Sequence, residues 1–232
     1  MHYLSRRSFF KQGAAGLAAL GVSGLVLRSD AAPTEASGEL GDFEGFAAGA
    51  QIPPPSTSPP ALTEENDLGP YYRPGAPFRA KITPPAEPGQ ILVIRGRVWG
   101  HGTKRPLAGA VLDVWQANDQ GHYDFEGKLP EAPKELFKYR SRVTADETGF
   151  YELETIHPGY YTGRTKHIHY LIQHPGYKKL VTQLYFKGDP RNPADPLFRE
   201  SLAIEIATQK LGGTPVELGH FDIVLSPAAT EV

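Results

Sequence analysis

The strongest constraint on the fold is a series of short β-forming runs that glycine and proline separate from one another. Each run is rich in aliphatic, β-branched and aromatic residues, and none shows the apolar period of a long amphipathic helix. This spacing predicts an all-β fold, an antiparallel β-sandwich with long loops. The predicted strands are Ile91–Trp99, Ala110–Gln116, Gly149–Thr155, His167–Gln173, Leu180–Phe186 and His220–Leu225.

Alternation within the runs assigns side chains to the two faces of a sheet. In the second run, Leu112 lies on one face and Asp113 on the other, as expected when one side of a sheet meets the core. In the fourth run, Ile168 lies on one face, while His167 and His169 share the opposite face. Two imidazoles on one strand face are costly to bury unless a partner satisfies them.

Composition excludes some sources of stability and some partners. The chain has 232 residues, no cysteine and a formal net charge of -2. Without disulfides the fold must rely on a hydrophobic core, and the length from residue 63 onward suits one domain. No basic block is present, so the sequence lacks the charge pattern of a nucleic-acid-binding protein.

The N-terminus has the pattern of an export signal. Arg6 and Arg7 precede a weakly apolar run over residues 13–27, and a small-residue zone follows it. The alternative, a transmembrane anchor, needs about 20 strongly apolar residues, whereas this run is shorter and rich in glycine and alanine. We therefore predict a twin-arginine signal peptide over residues 1–31, cleaved after Ala31. The mature protein is expected to be periplasmic or secreted, with no stable membrane anchor.

Residues 32–62 have a different composition from the rest of the chain. They are dominated by proline, glycine, alanine, serine and acidic residues, and they end in a proline-rich stretch. This is typical of an extended linker or arm with polyproline character. The folded domain is predicted to cover residues 63–232.

The two histidines of the fourth run have tyrosines near them in the sequence. Tyr161 lies on the turn before His167 and His169, and Tyr123 follows a glycine after the second run. Two phenolates and two imidazoles favour ferric iron, because phenolate is a hard anionic donor and a chain without cysteine offers no thiolate. Two alternatives remain: a chance pair of histidines on an exposed strand, and a zinc or copper hydrolase. The hydrolase lacks an obvious third histidine or carboxylate at suitable spacing.

Several ordered segments resemble the intradiol ring-cleavage dioxygenases, the family of protocatechuate and catechol dioxygenases. The resemblance covers roughly residues 69–225. The matching segments are Gly69–Tyr72, Pro106–Ala110, Asp113–Ala117, Gly121–Tyr123, Thr155–Tyr161, Gly163–His169 and Thr182–Phe186.

The resemblance implies a mononuclear non-haem ferric site and a set of site residues. Its implied iron ligands are Tyr123, Tyr161, His167 and His169. Tyr161 would also act as a base, Arg164 would stabilise negative charge on the substrate, and Gln183 would be the glutamine of a later strand. The implied reaction joins an aromatic diol and O2 into a cis,cis-muconate-type diacid.

The chain departs from the family pattern in places. The segment from Tyr161 to His167 is short, Thr165 and Lys166 stand where many members have Pro-Ala, and the helical N-terminal domain of catechol-type dimers is absent. These departures leave open the ring substituents of the substrate and the formation of homo-oligomers. A non-catalytic exported β-sandwich with a structural metal is the alternative function. Tyr160 is expected to point away from Tyr161, since adjacent side chains on extended backbone diverge.

Export is testable through the arginine pair. Changing both Arg6 and Arg7 to lysine should leave uncleaved precursor in the cytoplasm, because the twin-arginine route recognises guanidinium groups rather than charge alone. Cell fractionation with immunodetection measures this, and Arg28→Lys is the matched control. Unchanged export of the doubly substituted chain would indicate the general secretory route.

Overall fold

The described part of the chain consists of two β-sheets packed against each other. A computed structural model describes residues 57–124 and 137–228. The predicted signal peptide, residues 1–31, and most of the predicted arm, residues 32–62, lie outside these ranges. No helix within the described residues is long and apolar enough to cross a membrane.

The described residues form eleven strands and two short 3-10 turns, and no α-helix. The 3-10 turns are Asn192–Ala194 and Glu200–Leu202. The strands are β1 (Ile91–Gly100), β2 (Arg105–Pro106), β3 (Val111–Trp115), β4 (Arg140–Thr144), β5 (Phe150–Ile156), β6 (His167–Gln173), β7 (Leu180–Phe186), β8 (Ala203–Ile204), β9 (Ile206–Leu211), β10 (Thr214–His220) and β11 (Ile223–Leu225).

Each sheet is built around one long or central strand. In the six-stranded sheet, β1 pairs with β2, β5, β10 and β11, and β9 pairs with β10. The five-stranded sheet has the order β4, β3, β6, β7, β8. The all-β prediction is therefore confirmed, and β6 and β7 begin and end at the predicted residues.

The main hydrophobic core lies between the two sheets. Ile94 of β1 and Leu153 of β5 meet Ile168 and Ile172 of β6 there, all fully buried. Because side chains alternate along a strand, the inward position of Ile168 directs its neighbours His167 and His169 to the other face of the five-stranded sheet. The functional candidates thus lie outside the main core.

The prediction of a purely antiparallel sandwich is wrong, because both sheets are mixed. Strand β1 runs parallel to β10 and to β11, and β7 runs parallel to β8. The C-terminal chain follows β1 as β10, bends at Phe221 and Asp222, and continues along β1 as β11. Hydrogen bonds hold the bend: the Phe221 N–H donates to the Arg95 carbonyl at 2.9 Å, and the Arg97 N–H donates to Asp222 Oδ1 at 2.7 Å.

Two segments that the sequence pattern did not predict are strands. Strand β4 carries Arg140, Ser141 and Arg142, which are atypical of a strand, and their partners lie on β3. Strands β9 and β10 form a hairpin around Gly212 and Gly213, both with positive φ, which suits a tight two-residue turn. Only the end of β10 falls within the predicted run His220–Leu225.

The chain before β1 ties the two sheets together along one side. The Thr63 N–H donates to the Val224 carbonyl on β11 at 3.3 Å, and the Asn66 N–H donates to the Val181 carbonyl on β7 at 2.9 Å. After Asn66 the chain therefore runs over the outer face of the five-stranded sheet.

The bend between β10 and β11 depends on close approach to Gly96. A Cβ atom at Gly96 would lie 1.9 Å from the Phe221 carbonyl oxygen. Gly96→Ala should lower the free energy of unfolding by about 3 kcal/mol, since both backbones must shift. Urea denaturation measures this, with Gly212→Asn as the control, because Gly212 has φ +56 and no atom within 4 Å of its Cβ position. Equal stability of the two variants would contradict this account.

Candidate metal centre

The candidate site lies on the outer face of the five-stranded sheet, where β6 begins. His167 and His169 are 2% and 0% exposed, and Ile168 between them points into the main core. A second apolar cluster covers this face and includes Trp115 and Tyr123. The histidines are therefore buried under protein rather than displayed on an exposed strand.

Three donor atoms lie close together: Nε2 of each imidazole and the hydroxyl oxygen of Tyr161. His167 Nε2 lies 3.1 Å from His169 Nε2 and 3.2 Å from the Tyr161 hydroxyl oxygen. Donor atoms about 2.1 Å from one ion and about 90° apart lie about 3 Å from one another, so these separations match neighbouring ligands of a single cation.

Tyr123 completes the group from the turn after β3. Its ring centroid lies 5.1 Å from that of Tyr161 and 6.4 Å from that of His169. Its hydroxyl oxygen is buried and interacts with the Tyr161 hydroxyl, but it forms no well-aligned hydrogen bond to the described residues. A buried hydroxyl without a good partner is costly, and a cation at the centre of the four residues would satisfy it.

A tight turn brings Tyr161 next to the histidines. Thr162 and Gly163 both have positive φ, and the Arg164 N–H donates to the Tyr161 carbonyl at 2.8 Å. This reversal explains how so short a segment can join Tyr161 to His167 and still place both at one point.

A backbone contact fixes the protonation of His167. Its Nδ1 lies 2.7 Å from the Thr165 carbonyl oxygen, which can only accept, so Nδ1 carries the proton. Nε2 then presents a lone pair to the centre, as metal-ligating histidines require. Burial, followed by the nearby charge of Arg164, lowers the pKa of His167 to about 4. Burial and His167 together lower the pKa of His169 well below its usual value.

The two tyrosines have the opposite tendency. Burial raises the pKa of the Tyr123 hydroxyl well above its usual value, and burial also raises the pKa of the Tyr161 hydroxyl. A phenolate forms at these positions only beside a strong positive charge. Neutral imidazoles, together with tyrosines that ionise only beside a strong positive charge, thus fit a hard, highly charged cation. No group of three or more His, Asp, Glu or Cys within residues 57–124 and 137–228 forms an alternative metal site.

Aromatic rings enclose the donor group. Trp115 stacks on His169 with centroids 4.9 Å apart and planes 4° apart. Tyr71 stacks on Tyr123 at 4.1 Å, and Tyr72 packs against Trp115 at 5.0 Å. Tyr71 therefore lies in the site, whereas Tyr72 supports the wall behind it.

The backbone before these tyrosines passes directly over His169. Gly69 has φ +70, and a Cβ atom there would lie 2.9 Å from His169 Cε1. Glycine is required at this position by both conformation and space.

Arg164 and Gln183 are brought together beside the donors. Arg164 Nη2 donates to Gln183 Oε1 at 2.8 Å, and Gln183 Nε2 donates to the Asp67 carbonyl at 2.7 Å. Arg164 Nε donates to Asp195 Oδ2 at 2.8 Å, which gives the guanidinium a buried counter-ion. The Tyr185 hydroxyl also donates to Gln183 Oε1 at 2.7 Å.

Tyr160 lies on the other side of the backbone from Tyr161. Its hydroxyl donates to Asp189 at 2.9 Å, and the Arg191 guanidinium lies 3.9 Å above its ring. It therefore makes no contribution to the donor group.

Two buried carboxylates near the site were missed from the sequence. Asp195 holds Arg164, and Asp124 accepts from Arg140 Nε at 2.9–3.0 Å directly after Tyr123. Arg140 also donates to the Tyr71 carbonyl at 2.7 Å. The only signal was the position of Asp124 beside a candidate ligand, because both partner arginines are distant in the chain.

Comparison with known proteins gives one consistent family. The family model described as Dioxygenase matches residues 68–227. Catechol 1,2-dioxygenase 2 of Acinetobacter lwoffii is 35% identical over 143 residues, a match that covers 53% of this chain and 50% of the relative. Chlorocatechol 1,2-dioxygenase of Rhodococcus opacus is 31% identical over 184 residues, covering 68% of this chain and 70% of the relative.

A solved structure extends the likeness to the fold. The dioxygenase domain of a dioxygenase and carbohydrate-binding protein fusion from Streptomyces sp. SirexAA-E is 38% identical, with a TM-score of 0.63. The match covers 72% of this chain and 99% of that domain.

The pair of Asp124 and Arg140 should stabilise the turn that carries Tyr123. Both side chains are almost fully buried, at 1% and 2% exposure. Asp124→Asn should lower the free energy of unfolding by about 3 kcal/mol, because it leaves a buried guanidinium without its counter-ion. Glu154→Gln is the control, since its partner Lys81 is exposed and such a pair contributes less than about 1 kcal/mol. Similar losses in the two variants, measured by urea denaturation, would contradict this role.

Proposed function

This chain belongs to the intradiol ring-cleavage dioxygenase family, and from that premise we propose that it is an Fe(III)-dependent enzyme that cleaves a catechol-type aromatic diol with O2. The observation that carries the proposal is the convergence of Tyr161, His167 and His169, with Tyr123 beside them, on one buried point. The product would be a cis,cis-muconate-type diacid. Both oxygen atoms of O2 enter it, so the reaction needs no separate reductant.

The four donors have different access to solvent. Tyr123, His167 and His169 are buried, whereas Tyr161 is only partly so. A diol therefore reaches the centre on the side of Tyr161. When bound, ferric iron would supply a Lewis acid that holds the diol as a dianion and withdraws electron density from its ring.

Tyr161 is placed to take up a substrate proton. Tyr161 is the partly buried residue of the four, and burial raises the pKa of its hydroxyl above the usual value. Burial favours the neutral phenol over the phenolate here, so a Tyr161 oxygen that is not held by a cation would accept a proton from a substrate hydroxyl. The protein thus supplies a base within the donor group itself.

Arg164 is placed to stabilise negative charge on the substrate. Its backbone follows the turn from Tyr161, and its guanidinium is fixed by Gln183 and Asp195 rather than free to rotate. A guanidinium that is already fixed in a site partly shielded from water stabilises the charge that develops on the substrate, because it does not have to move first. Gln183 contributes by holding Nη2 of Arg164.

The walls of the site fit a planar ring. Tyr71 is a partly buried ring that stacks on Tyr123 and meets Tyr161 edge to face, while Trp115 is fully buried behind His169. Such surfaces favour offset stacking or edge contact with an aromatic substrate. These contacts support an aromatic diol as the substrate class.

We also propose that the protein acts outside the cytoplasm, exported by the twin-arginine machinery. The support is the arginine pair Arg6 and Arg7 with its weakly apolar run. Export in the folded state would let iron load before the protein meets zinc and copper, which compete for nitrogen and oxygen donors.

Iron binding and the role of Tyr161 are testable together. The purified protein should show the visible charge-transfer absorption of tyrosinate on Fe(III) and should consume O2 with catechol. Tyr161→Phe should retain iron and lower kcat by about 100-fold or more, because it removes a base. His167→Ala should lose the iron, measured by elemental analysis.

Tyr160→Phe is the matched control, because Tyr160 points away from the donors toward Asp189. It should keep wild-type colour and turnover. A colourless wild-type protein, or one that binds iron without consuming O2 with any aromatic diol, would favour the structural-metal alternative.

A further inference from the structure

One buried carboxylate outside the donor group contacts the site from two directions. Asp195 lies between the two 3-10 turns, and its side chain is fully buried. Its Oδ2 accepts from Arg164 Nε at 2.8 Å and from the Thr165 N–H at 2.9 Å. Its Oδ1 accepts from the Leu197 N–H at 2.9 Å, which fixes the orientation of the carboxylate.

The two donors to Oδ2 lead to different parts of the site. Arg164 in turn donates a hydrogen bond from Nη2 to Gln183 Oε1. Thr165 continues to the ligand candidate His167, because the Thr165 carbonyl accepts from His167 Nδ1 at 2.7 Å. A single oxygen atom therefore holds both the guanidinium and residue 165, whose carbonyl group sets the imidazole orientation.

The Thr165 peptide is held from a second side as well. Thr165 Oγ1 donates to Asn192 Oδ1 at 2.7 Å, and Asn192 Nδ2 donates to the Phe186 carbonyl at 2.8 Å. Asn192 and Asp195 belong to the same loop, which thus holds residue 165 at its side chain and at its N–H. Because residue 165 is not proline, its N–H is available for this contact.

The charge of Asp195 is secure in this position. Burial alone would raise its pKa, but hydrogen bonds from Arg164, Leu197 and Thr165 lower the pKa below the usual value. The carboxylate stays ionised and offsets the guanidinium. Without that counter-charge, Arg164 would lie uncompensated beside a bound cation and would turn toward solvent.

We propose that Asp195 is a positioning residue that fixes the guanidinium of Arg164 and the ring of His167 at the same time. The inference rests on the proposed function, since it assigns Asp195 a role in that site. It predicts two separable effects of removing the charge: slower turnover through Arg164, and weaker metal retention through Thr165 and His167.

The first experiment compares Asp195→Asn with Asp189→Asn. Both remove one negative charge from the same loop, but Asp189 contacts Tyr160 and the Arg191 N–H rather than Arg164. Asp195→Asn should lower kcat by about 10- to 100-fold and should speed iron release to a chelator by about 10-fold. Asp189→Asn should match the wild type in both measurements.

The second experiment tests whether Asp195 acts on turnover through Arg164. In an Arg164→Ala background, Asp195→Asn should change kcat by less than about 2-fold, because the shared partner is already gone. The same substitution should still speed iron release there, since the contact from Asp195 to the Thr165 N–H does not involve Arg164. Iron release is followed by loss of the visible absorption, without substrate.

If Asp195→Asn does not fold, Asp195→Glu keeps the charge and displaces the carboxylate, and it should also lower kcat while iron remains bound. Wild-type kcat in whichever of these two variants folds, or equal losses from Asp195→Asn with and without Arg164, would overturn the inference. An inactive or iron-free wild type would instead overturn the proposed function.

Discussion

The convergence of three polar donors on one point, with the buried hydroxyl of Tyr123 beside them, is the constraint on which the rest of the site depends. Two imidazole nitrogens face each other at 3.1 Å, and a tyrosine oxygen lies 3.2 Å from one of them. With Nδ1 of His167 already donating to a carbonyl, its Nε2 has no proton to share. The single lone pair of His167 Nε2 can accept from the Tyr161 hydroxyl or from His169 Nε2 but not from both, whereas a cation would be a common partner for all of these donors. The aromatic wall, the tight turn at Thr162 and Gly163, and the glycine above His169 all serve to bring these atoms together.

Charge is balanced around the donors by paired residues. Arg164 is paired with Asp195, and Arg140 and Arg73 share Asp124. A guanidinium near a bound cation would weaken metal binding by repulsion, and a carboxylate paired with it would reduce that repulsion while holding the arginine in place. Under the proposed function, positive charge would remain available to a substrate anion without a large cost to metal retention. This pairing explains why a mostly buried arginine can lie next to two histidines whose pKa values are lowered in part by it.

The two faces of strand β6 have different roles: one packs into the hydrophobic core, and the other carries the candidate site. Ile168 and Ile172 of β6 pack into the core between the sheets, while His167 and His169 of the same strand face the site. The strand is thus held rigidly from behind by apolar contacts, which leaves its other face for polar groups that contribute no hydrophobic stabilisation. The crossing of Thr63 and Asn66 over both sheets then brings Gly69 and Tyr71 above that face.

Local pattern in the sequence determined the family, the all-β class, the bounds of β6 and β7, and the shared face of His167 and His169. These features depend on residues close together in the chain, where alternation and turn chemistry act directly. Only the tertiary structure decided the parallel pairing of β1 with β10 and β11, because pairing between distant segments leaves no local signature. The same holds for strand β4, where Arg140 pairs with the buried carboxylate of Asp124 and Arg142 donates to the Ala76 carbonyl, so that neither belongs to an apolar pattern. Asp195 and Arg164 are 31 positions apart, and Arg140 and Asp124 are 16 apart. A charged residue in a loop is usually solvated, so only the fold, by burying both members of each pair together, turns these residues into parts of the site.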